Sequence, residues 1–305
     1  MKNKVRLIDI TVVSAYMGRF LTAIVSATVI AVTVSALVSK GGIRDHQTLS
    51  VGVPPMRGVD ATEEYFEPLR LLLAVESGRK VEVNSHTPGW CDRCELHLLP
   101  IAEFVAAAAE RDLVPLYSIC RTRSGADAAV VVARSDDFRS VTPTPQNVMF
   151  VDPQSVNGCW VQLEQLESQG FTSPDRIASL RFAQMPSAAR VVFSVLMGAS
   201  AYGACRQSDL TELVAAGDLD RNELQVVFSS PAVPELVVTC RPADAEYYRH
   251  LLSRTAARIA VLESSGMVRE AVGLLKSRGM RSLRPVSEDE LDRTVALFDL
   301  MRERI

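Results

Sequence analysis

The chain alternates short apolar segments with segments whose apolar residues recur every three or four positions. Leu49–Val53 has the alternation of a β-strand, whereas residues 63–76 place Phe66, Leu69 and Leu72 on one face and predict a helix. Further strands are predicted at residues 80–83, 95–99, 115–120 and 128–133, and a further helix at 101–110. This β-α-β-α-β order predicts a sheet of parallel strands covered by helices.

The same pattern starts again after a polar, proline-rich stretch at residues 135–145. Strands are predicted at residues 148–151, 179–182, 201–205, 224–229 and 236–240, and helices at 160–169, 187–197, 244–264, 267–278 and 287–302. We therefore expect an α/β fold with two lobes and a cleft between them. The expected lobe 1 comprises residues 46–140 and 226–305, and the expected lobe 2 comprises residues 141–225.

The N-terminal segment has the composition of an export signal. Residues 20–38 contain no charged side chain and follow a leading segment with Lys2, Lys4, Arg6 and Arg19. This pattern is typical of a signal peptide or of a membrane-spanning anchor, so residues 1–45 are assigned to that segment and its linker. Residues 34–36 offer small side chains for cleavage, and the length of the apolar run favours an uncleaved anchor. Both alternatives predict a body in the periplasm, with or without a tether to the inner membrane.

The composition of the chain limits the classes of partner that it is expected to bind. The formal net charge is −3, and the first 40 residues hold five Lys and Arg against one Asp, so the remainder is more acidic than the whole chain. No basic stripe appears and aromatic residues make up 6% of the sequence. These features argue against a nucleic-acid partner. The 48% of hydrophobic residues is sufficient for a sizeable packed core.

Several segments resemble a known family in their order and spacing. They are residues 51–55 (VGVPP), 65–69 (YFEPL), 77–83 (SGRKVEV), 148–158 (VMFVDPQSVNG), 195–205 (VLMGASAYGAC) and 229–234 (SSPAVP). Over about residues 49–280 the chain resembles the phosphate/phosphonate substrate-binding proteins of ABC transporters, which have the type 2 periplasmic binding fold. The resemblance implies a solute-binding protein rather than an enzyme, without a cofactor or metal. It also implies a small phosphate- or phosphonate-like ligand, and an ABC transporter permease or a membrane sensor as partner.

The loop after the strand at residues 148–151 is the first candidate site. Ser155, Asn157 and Gly158 precede a helix, where backbone N–H groups and the helix dipole favour an anion. The resemblance implies that this turn contacts the acidic group of the ligand, although Val156 stands where a hydroxyl is usual in the family. The alternative is that Ser155 and Asn157 only cap the helix.

Other candidates come from both expected lobes. Ser187 and Arg190 begin the next helix, where the resemblance implies a ligand histidine but the sequence has Ala188. A family acid further along aligns with Ala201. The remaining ligand-binding candidates are Arg57, Tyr65 and Tyr202. Glu103 would repel an anion if its side chain faced the cleft.

A CxxC motif leaves other functions open. Cys91 and Cys94 can form a disulfide, stay reduced, act as a redox pair, or join His86 or His97 at a zinc ion. No hydrolase elbow, Walker loop, HExxH or dinucleotide fingerprint is present. The alternatives to transport are therefore an exported redox or metal-handling protein, and a degenerate binding fold that serves as a sensor or interaction scaffold.

Overall fold

The structure is a computed structural model. It describes residues 48–54, 62–85, 93–122, 127–136, 147–153, 155–170, 180–183, 187–231, 233–261 and 266–302. Across these ranges no helix has the length and the apolar character needed to cross a membrane. The apolar segment at residues 20–38, predicted as a signal peptide or anchor, lies outside the described residues.

The first sheet has six strands in the order β11-β4-β10-β3-β1-β2. They are β1 (Leu49–Val53), β2 (Val81–Ser85), β3 (Leu96–Pro100), β4 (Val114–Cys120), β10 (Leu236–Cys240) and β11 (Ser282–Pro285). β1 pairs in parallel with β2 and β3, as the sequence pattern predicts. β10 enters antiparallel between β3 and β4, and β11 adds an antiparallel edge. The sheet is therefore mixed rather than wholly parallel.

The second sheet has five strands in the order β7-β6-β8-β5-β9. They are β5 (Ala128–Arg134), β6 (Val148–Phe150), β7 (Arg181–Phe182), β8 (Tyr202–Arg206) and β9 (Leu224–Pro231). β6 pairs in parallel with β7 and β8, whereas β5 runs antiparallel to both β8 and β9.

Eight α-helices occur within the described residues. They are α1 (Thr62–Ser77), α2 (Ile101–Arg111), α3 (Val161–Ser168), α4 (Ala188–Leu196), α5 (Gln207–Ala216), α6 (Ala245–Ala260), α7 (Met267–Ser277) and α8 (Glu288–Arg302). A π-helical turn, Val156–Trp160, leads into α3, and a 3₁₀ turn, Pro242–Asp244, leads into α6. Helix α5 and strand β11 were not predicted from the sequence.

The two sheets divide the chain differently from the sequence prediction, which placed residues 128–133 and 226–231 in lobe 1. Both segments pair within the second sheet, as β5 and β9. The five inner residues of β5 are buried, as expected of a central strand covered on both faces. The chain therefore goes from one sheet to the other after β4, where residues 121, 122 and 127 are described, and again after β9, where residues 233–235 are described. We call these the first and the second crossover segments.

The hydrophobic core links the two sheets. One cluster packs the first sheet against α1, α6 and α7, whereas another contains residues from both sheets. In the shared cluster Leu99 and Phe104, from β3 and α2, lie with Phe150 and Trp160 from the second-sheet side. Met301 of α8 is fully buried in the same cluster. The C-terminal helix therefore contributes to the apolar core that the two sheets share.

Candidate functional site

A cavity of ≈ 320 Å³ lies beside the two crossover segments. Its walls come from the ends of β4, β8 and β9, from the π-helical turn, and from β11 and the start of α8. The lining residues are Ile119, Cys120, Arg121, Thr122, Asp127, Asn157, Arg206, Pro231, Val233, Pro234, Glu235, Arg284 and Glu290. Ligands of open α/β sheets bind beyond the carboxyl ends of strands, and the cavity lies at such ends.

Three arginines give the cavity its cationic groups, and each is paired with a carboxylate. Arg284 donates from Nη1 to Oε2 of Glu290 at 2.7 Å. Nη2 of Arg121 lies 2.8 Å from Oε2 of Glu212. Because the lining also includes acidic side chains, the cavity is a mixed-charge site and not an unopposed basic pocket.

Arg206 is the most enclosed of these cations, with its side chain 17% exposed. It is the last residue of β8, and the carboxylate of Asp209, three residues on, accepts from Nε at 3.0 Å and from the Arg206 backbone N–H at 3.1 Å. A second carboxylate, from Glu235, contacts Nη1. Burial lowers the pKa of Arg206, but the two carboxylates outweigh it and hold the pKa above its usual value. The guanidinium is therefore charged at any physiological pH.

Asn157 ties the π-helical turn to the second crossover segment. Its side chain is 1% exposed, and Nδ2 donates to the carbonyl of Val233 at 2.8 Å. The Val233 N–H donates back to Oδ1 at 3.0 Å. Both polar atoms of the Asn157 amide therefore bond to the backbone of the second crossover segment, so this residue lines the cavity mainly as a structural tie.

Comparison with known proteins gives the family. The model of the family described as "ABC transporter, phosphonate, periplasmic substrate-binding protein" matches residues 93–290. The chain belongs to this family. It is a solute-binding protein of an ABC-type transport system, as the resemblance of its sequence segments implied. No curated protein matches it in sequence.

Solved structures with the same fold cover most of the chain. PhnD1 from Prochlorococcus marinus, in complex with methylphosphonate, is 12% identical with a TM-score of 0.60 and covers 84% of this chain and 98% of its own. A Xanthomonas citri protein bound to ATP is 15% identical with a TM-score of 0.59, covering 85% of this chain and 99% of its own. A binding protein of a phosphonate ABC transporter from Pseudomonas aeruginosa is 12% identical with a TM-score of 0.55, covering 85% and 87%. These likenesses confirm the periplasmic binding fold.

The turn at residues 155–158, which the sequence predicts as part of the ligand site, has an internal hydrogen bond in this binding protein. The hydroxyl of Ser155 accepts from the backbone N–H of Gly158 at 3.0 Å, which is the capping arrangement that the sequence left open. A Cβ at Gly158 would lie 2.4 Å from that hydroxyl oxygen and 2.9 Å from Val151, so only glycine fits. Of these three residues, Asn157 lines the cavity, whereas the hydrogen bond between Ser155 and Gly158 fixes the conformation of the turn.

Tyr65 lies in helix α1 and is not among the described residues that line the cavity. Its hydroxyl donates to the carbonyl of Arg278 at 2.6 Å, and the Arg278 guanidinium lies 5.6 Å from its ring centroid. Burial raises the pKa of Tyr65, and the positive charges of Arg121 and Arg278 oppose that rise. Its contacts join α1 to the end of α7. Arg57, the other first-lobe candidate, lies outside the described residues.

The α4 candidates and Tyr202 lie apart from the lining of the cavity. Ser187 precedes α4 without a capping hydrogen bond from its side chain, and Arg190 is exposed on that helix. Tyr202 is 2% exposed in the shared core, where burial raises its pKa. The structure gives Tyr202 a packing position. Glu103 is exposed on α2 and is not among the residues that line this cavity.

The described cysteines add no evidence for the redox or metal-handling alternatives. Cys94 is buried and its sulfur accepts from the Ser50 hydroxyl at 3.5 Å, whereas Cys91 lies outside the described residues. Among the residues that the structure describes, no three His, Cys, Asp or Glu side chains form a metal-binding group. The redox and metal-handling roles of the CxxC motif remain predictions from sequence.

Sequence reasoning missed the charged residues that line the cavity, including Arg206 and Glu235. A signal for Arg206 was present, because it ends a nearly uncharged strand and an acid follows three residues later, at Asp209. Charged residues at the carboxyl ends of buried strands are site candidates. Glu235 and Arg284 carry no comparable local signal, since their role depends on where the crossover segments return to the first sheet.

Proposed function

We propose that the protein binds a small phosphate- or phosphonate-like oxyanion in the cavity beside the crossover segments. The observation that carries the proposal is the convergence of the Arg121, Arg206 and Arg284 side chains on ≈ 320 Å³ of space. Guanidinium groups match the geometry of phosphonate oxygens and hold them by paired, charge-assisted hydrogen bonds. A volume of about 300 Å³ lies at the small end of ligand pockets, which suits a compact oxyanion.

Arg206 is the proposed principal anchor. It is the most enclosed guanidinium of the three, so its attraction for an anion is the least screened by water. Of the residues predicted from the sequence, the proposal keeps the turn formed by Ser155, Asn157 and Gly158. Asn157 forms part of the wall, and its two neighbours fix its position. Arg57, Tyr65, Ser187, Arg190 and Tyr202 are not required by it.

The binding step proposed here is an exchange of ion pairs. An oxyanion that enters the cavity replaces a carboxylate as partner of a guanidinium, so the charge of the arginine stays neutralised throughout. The tie between Asn157 and Val233 keeps the second crossover segment in register with the π-helical turn during this exchange. Nothing in such a step requires bond making or breaking in the ligand, in keeping with a transport role.

We also propose that residues 20–38 place the protein at the inner membrane, with the body in the periplasm. The family description supports a periplasmic body, and the uncharged run of residues supports the segment. A permease of an ABC transporter is the proposed partner, or a membrane sensor if the segment is retained. Membrane fractionation of cells that express the full chain, followed by N-terminal sequencing, distinguishes a retained anchor from a cleaved signal.

Titration calorimetry with methylphosphonate and inorganic phosphate tests the proposed ligand. The full chain, purified in mild detergent, should bind at least one of them. Arg206→Gln should weaken that binding by at least about 100-fold, because a buried charge-assisted pair is lost. Arg190→Gln is the matched control, since it removes the same group from an exposed helix position. Absence of binding in the folded wild-type protein, or equal affinity in the two variants, would contradict the proposal.

A further inference from the structure

The carboxylate of Glu235 lies in the cavity against the proposed anchor. It contacts Nη1 of Arg206, and the Glu235 side chain is 38% exposed. Glu235 belongs to the second crossover segment, whereas Arg206 ends a strand of the second sheet. The contact therefore joins two segments that are far apart in sequence and that both line the cavity.

The two carboxylate partners of Arg206 are not equivalent. Asp209 is 9% exposed and accepts from Nε, from Nη2 and from the backbone N–H of Arg206, so it is built into the start of helix α5. Glu235 reaches Nη1 from a separate segment, and more than a third of its side chain is open to solvent. Of the two, Glu235 is the partner that an entering anion can displace without disturbing a helix cap.

The hydrogen bonds around Glu235 allow its carboxylate to be displaced. Asn157 donates to Glu235 at 3.3 Å, but the same Nδ2 donates to the Val233 carbonyl at the shorter distance of 2.8 Å. The tie between the π-helical turn and the second crossover segment therefore persists when Glu235 leaves. The exposed part of Glu235 also gives the displaced carboxylate access to water, which lowers the cost of breaking the pair.

We propose that Glu235 is an internal competitor of the ligand at Arg206, and that it sets how strongly the site binds a simple oxyanion. The proposal rests on the proposed function, since it assumes that an anion uses Arg206. In the unliganded protein the Glu235 carboxylate occupies Nη1 of the guanidinium, while Asp209 pairs with Nε and Nη2. An oxyanion binds only to the extent that its interaction with Nη1 exceeds that of the carboxylate. Glu235 is thus a specificity-determining residue that discriminates against weakly charged or poorly fitting anions.

Glu235→Gln tests the competition, with methylphosphonate as the probe in titration calorimetry on the full chain. Glutamine preserves the size of the side chain and removes the charge, so affinity should increase about tenfold. Glu164→Gln is the charge-matched control, because its carboxylate is 38% exposed like that of Glu235 but pairs with Arg293, and neither residue is in the lining of the cavity. Its effect on affinity should be less than half of the Glu235→Gln effect on a logarithmic scale.

The outcomes separate this inference from the function on which it rests. If the wild type binds methylphosphonate and Glu235→Gln binds it with equal or lower affinity, the competition is overturned and the proposed anion site is retained. Equal gains in both variants also overturn it, since a general change of the electrostatic field then accounts for the result. If no folded variant binds methylphosphonate or phosphate, the proposed function fails, and the competition fails with it.

A second variant guards against loss of folding in the first. Glu235→Asp keeps the charge and draws the carboxylate back by one methylene group, so it weakens the contact with Arg206 without neutralising the site. Affinity for methylphosphonate should rise, by less than in Glu235→Gln. If Glu235→Asp folds with an unchanged Tm and binds no more tightly than the wild type, contact between this carboxylate and Arg206 does not limit ligand affinity.

Discussion

Asn157 and Val233 exchange two hydrogen bonds, one in each direction, between a side-chain amide and a backbone peptide unit. Asn157 begins the path into helix α3 of the second-sheet side, and Val233 lies in the segment that returns the chain to the first sheet. Because Asn157 is almost fully buried, neither group of Val233 finds water readily if the amide is removed. This pair fixes the wall of the cavity on which Arg206 and Glu235 meet.

Loss of the Asn157 amide should destabilise the protein. Asn157→Leu keeps a side chain of similar size but leaves the N–H and the carbonyl of Val233 unsatisfied, at about 1–3 kcal/mol for each group. We expect the free energy of unfolding, measured by urea denaturation, to fall by about 2–5 kcal/mol. Asn222→Leu, at an exposed turn, is the control and should change it by about 0.5 kcal/mol or less. Equal midpoints and slopes for Asn157→Leu and wild type would show that the pair has no structural role.

Gly158 should not tolerate alanine. The added Cβ would lie 2.4 Å from the Ser155 hydroxyl oxygen and 2.9 Å from Val151, so the turn has to shift. Overpacking of this kind costs about 1–3 kcal/mol. Gly273→Ala in helix α7 is the matched control: apart from the adjoining residues and backbone of its own helix, no atom lies within 4 Å of an added Cβ, so it should stabilise by about 0.5–1 kcal/mol. Thermal unfolding of both variants measures the contrast, and a Tm for Gly158→Ala at or above that of wild type contradicts the packing described for the turn.

The reactivity of the cysteine thiols tests the burial of Cys159 and Cys205 and the occupancy of the cavity by a ligand. Cys159 and Cys205 are both 0% exposed, and burial raises the pKa of each thiol well above its usual value. Cys120 is 9% exposed and lines the cavity. Iodoacetamide labelling of the native protein at pH 8, read by mass spectrometry, should therefore modify Cys120 faster than either buried thiol.

Methylphosphonate should slow the labelling of Cys120 if it occupies the cavity, and it should leave the labelling of an unfolded sample in urea unchanged. The urea sample is the control for intrinsic reactivity of the probe. Faster labelling of Cys159 or Cys205 than of Cys120 in the native state would contradict the burial that the structure gives these residues.

The sequence predicted most of the fold because the strands and helices have local signals. Periodicity located β1, α2, β10 and the helices that follow it, with shifts of a few residues at their ends. It could not assign β5 to a sheet, since an apolar strand is compatible with the centre of either one and its pairing with β8 and β9 is set by distant residues. For that reason the pattern placed residues 128–133 in lobe 1, whereas β5 pairs within the second sheet.

The candidate site was less accessible to sequence reasoning. Asn157 was found through its place at a helix start, yet its amide bonds to Val233, 76 residues away. Arg206 and Glu235 meet through a contact across 29 residues, with helix α5 and strand β9 between them, which no local pattern records. Resemblance to the family drew attention to the turn and to α4, whereas the charged lining of the cavity emerged only from the path of the crossover segments.

The Arg284–Glu290 pair should make stability depend on pH in the acid range. Burial alone raises the pKa of Glu290, but hydrogen bonds from Arg284 and Ser287 outweigh it and hold the pKa below its ordinary value of 4.5. A carboxyl group whose pKa is lower in the folded state stabilises that state above its unfolded pKa, and this contribution is lost as the pH falls through the folded value. Glu290→Gln should therefore be less stable than wild type at pH 7, and the difference should shrink progressively below about pH 4.5. Urea denaturation from pH 7 to pH 3 measures it, with Glu288→Gln at the exposed start of α8 as the control. A difference between wild type and Glu290→Gln that stays constant over this range would mean that the ion pair does not contribute to folding.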